Sequence, residues 1–167
     1  CPEHHQWLEA RKEETKSMEK FKVWRRVKRS EAKGHKLLTC KWVHKRKTNE
    51  RGEVSRYKAR LVARGFTQVE YDSFHPDEVF AHVVDRNSMR TVLSLAASQD
   101  LKLYSFDISN AYLQAELKEV IYMEPPPGMN IPADECLALM RPIYGTKQGG
   151  RMFSDALDAH LKKLGFK

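Results

Sequence analysis

The chain has 167 residues, with 30 Lys and Arg against 22 Asp and Glu and a formal charge of +8. One domain is the default at this length, and apolar runs of only a few residues exclude a membrane-spanning helix. The charge is uneven: residues 1–70 hold 20 Lys and Arg against 9 Asp and Glu, and residues 71–167 hold 10 against 13. A basic first half joined to a mildly acidic second half predicts a polyanion held by one part only, nucleic acid ahead of a membrane surface. Cys1, Cys40 and Cys136 are far apart with no C-x-x-C, so neither a disulfide framework nor a zinc site is expected, in keeping with a reducing compartment. His4–His5 is the one His pair, expected to be solvated. The first residues lack the charged–apolar–small pattern of a signal peptide, and a start at Cys1 reads as a fragment or processed product.

In chain order, residues 6–28 predict a charged helix with Leu8, Met18, Phe21 and Trp24 near helical spacing, fraying toward an extended segment at Trp24. Within it KVWRRVKR (22–29) reads either as a nucleic-acid or nuclear-import patch or as a charged helix face. A polar connector follows to Lys36. Strands over 37–47 and 56–65, joined by the turn Asn49–Gly52, predict a hairpin crowded with Lys and Arg. Residues 72–84 read as a loop, and 87–99 as a helix capped by Asp85 or Asn87, with Met89, Val92, Leu93, Ala96 and Ala97 on its apolar stripe. Leu101–Ile108 carries apolar residues at both parities, which predicts a buried central strand ending at Asp107. A turn at 113–117, a strand at 120–123 and the rigid Pro125-Pro126-Pro127 exit come next. A strand over 136–144 and a helix over 151–164 with Gly165 behind it complete the chain.

A carboxylate where a strand gives way to a turn is a common position for a catalytic group, and equally for a helix cap. The segments around Asp107 decide its company. Cys40-Lys41-Trp42-Val43, RYKARLVARGFTQ (56–68), MRTVLSLAA (89–97), DISNAYLQAEL (107–117), IYMEPPPG (121–128), IYGTKQ (143–148), Arg151 and LKKLGF (161–166) occur in one order. Together they resemble the reverse transcriptase domain of copia-type LTR retrotransposon Pol polyproteins.

The resemblance implies an α+β chain with a partial right-hand polymerase fold, the fingers and first half of the palm. Its parts would be an N-terminal helix and connector (1–36), fingers (37–100) and the start of the palm (101–167). It implies DNA synthesis on an RNA or DNA template–primer from deoxynucleoside triphosphates, with Mg2+ or Mn2+, inside a virus-like particle or the nucleus and as part of a longer polymerase chain. Asp107 would be the catalytic metal ligand with the main-chain carbonyl of Ile108, and Tyr112 the gate against a ribose hydroxyl. Lys45, Lys58, Arg60 and Arg64 would meet the triphosphate, with Lys58, Arg60 and Arg64 on one strand face. Tyr144, Gly145, Lys147 and Gln148 would contact nucleic acid. No Asp-Asp pair follows to complete the metal site, so the chain is expected to be inactive alone. The alternative is a nucleic-acid-binding remnant or degenerate relic, since the family has Leu at Thr146, Ala-Pro at Gly149-Gly150 and Trp at Phe153, and an apolar packing segment around His82.

Overall fold

The computed structural model describes residues 2–166. Helix α1 (His4–Lys20) is rich in Glu and Lys, which lose little rotamer freedom in a helix. The helix stops at Lys20, short of the predicted Lys28, and the extended segment expected at Trp24 is a strand. Lys22 takes a left-handed turn (φ 51), and Val23 N–H closes the end onto Met18 C=O at 3.0 Å. The chain then enters strand β1 (Trp24–Lys28), pairing antiparallel with a strand more than a hundred residues away, Glu135–Leu139. Trp24 and Val27 have the side chains that pack on a pleated surface, and here they face opposite sides. The cations of 22–29 therefore lie on a strand. Arg25 pairs with Glu31, Lys28 with Asp134 at 2.8 Å, and Arg29 grips Glu124 through two nitrogens at 2.8 and 2.5 Å. That grip holds the Glu124 carboxyl below its ordinary range.

Strands β2 (Cys40–Thr48) and β3 (Val54–Ala63) form the predicted hairpin. Gly52 supplies the positive φ (79) that the turn requires, and Asn49 Oδ1 accepts from the N–H groups of Arg51 and Glu53, each at 3.0 Å. Helix α2 (Arg86–Ser98) starts at Asp85, whose carboxylate accepts from Asn87 and Ser88 N–H at 2.7 and 3.1 Å. Beyond it come α3 (Ala111–Gln114), β4 (Ile121–Met123), β5 (Glu135–Leu139) and α4 (Gly149–Lys163). At the end of α4 Gly165 is left-handed, and Phe166 N–H reaches back to Leu161 C=O at 3.1 Å.

The sheet order is β1–β5–β4, with β2–β3 as a separate two-stranded ribbon. Leu38 joins the two: its N–H donates to Tyr122 C=O at 2.8 Å, and its C=O accepts from Glu124 N–H at 2.9 Å. Met18, Val23, Leu38, Leu61, Leu113, Ile121, Met123, Leu137, Leu139 and Ile143 build one apolar core where α1, both sheets and α3 meet.

Two expectations fail on the other side of the molecule. Residues 101–108 form no strand and pair with none, with Tyr104 85% and Phe106 84% exposed. Of the predicted α2 stripe only Ala96 is buried. An apolar pattern specifies which face seeks cover, but the covering element must be there too. Strand β5 also ends at Leu139, short of the predicted 144, where the N–H groups of Met140 and Arg141 both turn to Val23 C=O at 2.8 and 3.3 Å. Cys40 and Cys136 are buried and unpaired, and Cys1 lies outside the described residues. His4 and His5 are exposed, and no described helix is long and apolar enough to cross a membrane.

Candidate functional site

The hairpin has two chemically distinct faces because side chains alternate along each strand. One face carries Trp42, His44, Tyr57, Ala59 and Leu61 and is covered by α1, with Trp7 edge-on to both His44 and Tyr57. The other carries Lys45, Lys47, Arg56, Lys58 and Arg60, and Lys45 stands directly opposite Lys58 in the ladder. Like charges placed directly opposite destabilise a sheet. Lys45, Lys58 and Arg60 have no ion-pair partner among the described residues, while Arg56 at the rim bonds Glu13 at 2.9 Å. Burial and the neighbouring Arg60 and Lys47 push the Lys58 ammonium below its ordinary range. The arrangement is poor for stability and well suited to an anion with several charges.

Arg64 lies one residue past β3, and its N–H donates to Thr39 C=O at 2.8 Å, the rung that follows the Cys40–Ala63 pair. Its charge lies near the Cys40 thiol, which burial pushes up to about 11.

Sequence reasoning missed Glu14. This α1 carboxylate accepts from Leu61 N–H on the open edge of β3 and faces Lys58 and Arg60; burial raises its pKa. Nothing in the pattern of α1 distinguishes it from its solvated neighbours.

Three expected site residues from distant segments meet. The Arg60 guanidinium lies over the Tyr144 ring at 4.8 Å, and Tyr144 is edge-on to Tyr112 at 5.1 Å. Arg60 Nε is buried there with no hydrogen-bond partner. Tyr144 is fixed by its backbone: its C=O accepts from Ala63 N–H at 2.7 Å, continuing the edge of β3. Gly145 (φ +87) allows this, since a Cβ there would overlap the Ala63 carbonyl oxygen. Gly145 thus packs closely on the chain's own hairpin.

Lys147 is exposed with its ammonium 3.9 Å from the Phe74 ring centre. Gln148 is only 3% exposed and its amide is engaged inside the fold. It accepts from Gln68 Nε2 at 3.0 Å and donates to Ser73 C=O at 2.9 Å. It supports the 144–148 segment from within, together with Gln68 and Ser73, which sequence reasoning also missed. Two of the departures at this segment fit each other. A Cβ on Gly149 would meet Thr146 Oγ1 at 2.7 Å, so the Thr hydroxyl occupies the space that Gly149 leaves.

Asp107 is exposed at the end of the unpaired run. Beyond it Asn110 is left-handed (φ 55) and donates from Nδ2 to Ser17 Oγ at 3.0 Å, tying the start of α3 to α1. Among the described residues no three His, Cys, Asp or Glu side chains converge. Asp107 stands alone as a carboxylate donor, so the residues present do not by themselves fit a divalent metal.

The profile of the family described as reverse transcriptase (RNA-dependent DNA polymerase) matches residues 21–167. The chain belongs to the reverse transcriptase family. This reverse transcriptase chain is 39% identical over 163 residues to the Retrovirus-related Pol polyprotein from transposon TNT 1-94 of Nicotiana tabacum, covering 96% of itself and 12% of that relative. It is 35% identical over 135 residues to the corresponding RE2 polyprotein of Arabidopsis thaliana (78% and 9%). It is 30% identical over 166 residues to the Transposon Ty1-BL Gag-Pol polyprotein of Saccharomyces cerevisiae (96% and 9%). These are copia-type Pol polyproteins, and the chain spans about a tenth of their length. No solved structure matches it.

Proposed function

We propose that this chain is the part of a reverse transcriptase that receives the incoming deoxynucleoside triphosphate beside an RNA or DNA template–primer. It would act as the fingers and first half of the palm of a longer Pol chain. The observation that carries this reading is the Arg60–Tyr144–Tyr112 stack beside the unpaired Lys45 and Lys58. One cluster there offers cations for phosphate and the Tyr112 ring for a sugar. Lys45, Lys58 and Arg60 take the triphosphate, Tyr112 stands against the sugar edge, and Tyr144, Gly145 and Lys147 lie along the nascent pair. The family generally uses a divalent metal, supplied here as Mg2+. Asp107 and the Ile108 carbonyl are this chain's contribution to holding it, with the remaining carboxylates coming from elsewhere in the Pol chain.

The test belongs in the complete Pol chain. Asp107→Asn abolishes primer extension with unchanged melting, and Tyr112→Ala raises ribonucleotide incorporation about tenfold or more. Extension by Asp107→Asn at the wild-type rate overturns the metal assignment, and unchanged discrimination overturns that of Tyr112.

The same cation face favours a second reading, a binding surface for nucleic acid without polymerisation. Its signature is oligonucleotide affinity falling linearly in log–log salt plots, with no competition from deoxynucleoside triphosphate.

A further inference from the structure

Strand β1 is the edge of its sheet, and its outer side is open. Main-chain groups of an antiparallel strand point alternately to either side. Val23 C=O accepts from Met140 N–H and Arg29 N–H donates to Asp134 C=O, each at 2.8 Å, so odd-numbered residues face β5. Trp24, Arg26 and Lys28 therefore turn their N–H and C=O groups outward. Among the described residues only the Lys28 C=O of that set has a partner, Glu31 N–H at 2.9 Å. A row of open donors and acceptors is a template for another strand.

Arg26 of this strand also lines a groove of 420 Å³ formed with α1, Trp42 and residues 126–130. Trp42, Pro126 and Met129 give it an apolar lining, and Arg11, Lys12, Lys16 and Arg26 outnumber the single acid Glu19. Lys12 is held by Glu9 at 2.8 Å and Arg11 by His44 at 3.0 Å. Lys16 and Arg26 have no ion-pair partner among the described residues, which calls for an anionic occupant. Trp42 is not an open stacking platform for a base. Arg11 covers its ring at 5.6 Å, and its indole N–H is taken by Pro127 C=O at 3.0 Å. The open main-chain edge pairs with a peptide and not with a nucleic acid.

We propose that the β1 edge and the groove that Arg26 lines dock an extended acidic peptide of a protein partner. The peptide adds as a strand to β1, its alternate carboxylates meeting Arg26 and Lys16 while an apolar side chain enters the lining. A five-residue edge spans about 17 Å, so the bound stretch is about five or six residues.

The test uses the whole chain and fluorescence anisotropy with three labelled probes: an octapeptide alternating Glu and Val, its Lys-for-Glu counterpart, and a twelve-residue oligothymidylate. The acidic peptide binds and the basic one does not. Arg26→Ala, which removes the charge, weakens binding about fivefold. Arg26→Pro, which also removes an outward N–H without breaking a bond to β5, weakens it about tenfold further and keeps the wild-type circular dichroism. Should that variant misfold, slowed hydrogen exchange of the Arg26 amide in the wild type on adding the peptide serves instead. The proposal is overturned if the acidic peptide does not bind, or if oligothymidylate displaces it. It is equally overturned if Arg26→Ala abolishes a concentration-dependent dimer, because a second copy then occupies the edge.

Discussion

Leu137 and Leu139, on the central strand of the three-stranded sheet, are fully buried, whereas Leu101 and Leu103, in a run that is also mostly apolar, are more than half exposed. The difference lies in neighbours and not in residue type. Strand β5 has β1 on one side and β4 on the other, with Met18 and Leu61 in the same core. The run 101–108 has neither, and α2 beside it in sequence buries only Ala96. One half of this reverse transcriptase chain closes its own core, while the other displays surface patterned for burial.

The sharpest way to break this contrast is truncation on each side of it. Leu137→Ala should cost about 2–5 kcal/mol in urea unfolding, and Leu103→Ala should stay within about 0.5 kcal/mol of wild type. Equal losses would mean that the exposed run is packed in solution. Gly145→Ala comes next, at about 1–3 kcal/mol, since it strains a positive φ and drives a methyl group into the Ala63 carbonyl. A Gly145→Ala variant as stable as the parent would detach the 144–148 segment from the hairpin.

Asp85→Ala removes the cap of α2 and should cost about 1 kcal/mol of helix stability. If α2 is poorly docked, the loss appears in far-ultraviolet circular dichroism and leaves the global urea midpoint unmoved. Coincident shifts would show that α2 unfolds with the core. The smallest effect is at Glu14. Its folded-state pKa lies above the ordinary 4.5, so the folded chain holds that proton more tightly than the unfolded one. Stability from this group is full below 4.5 and lost as pH rises through the folded value. Glu14→Gln should match wild type at about pH 4 and melt higher at about pH 7. Equal melts at both would mean that Lys58 and Arg60 offset the burial of the carboxylate.

Features decided within a few residues were legible in the sequence: the hairpin with its Gly52 turn, the Asp85 cap and the glycine behind α4. The basic face was legible too, because alternation needs only a strand. The extended segment at Trp24 was legible, but its pairing was not, because a left-handed Lys22 has no composition signal and the partner strand is remote in sequence. The burial predicted for 101–108 failed because periodicity records a demand for cover and not its supply. At the candidate site the residue types were readable, but the stacking of Arg60 on Tyr144 and the burial of Gln148 depend on contacts between distant segments.

The ribbon's register makes chain length a matter of polarity. Arg56, Lys58 and Arg60 alternate with Tyr57, Ala59 and Leu61, so deleting one residue within β3 would exchange the two sets. The cations would be driven under α1 and the apolar side chains set facing water. A shift already stands between Lys47 and Thr48, next to the turn, where an odd residue is absorbed without inverting anything. Heritable insertions and deletions in this segment are therefore expected to collect at the tip of the ribbon and to be purged from its stem.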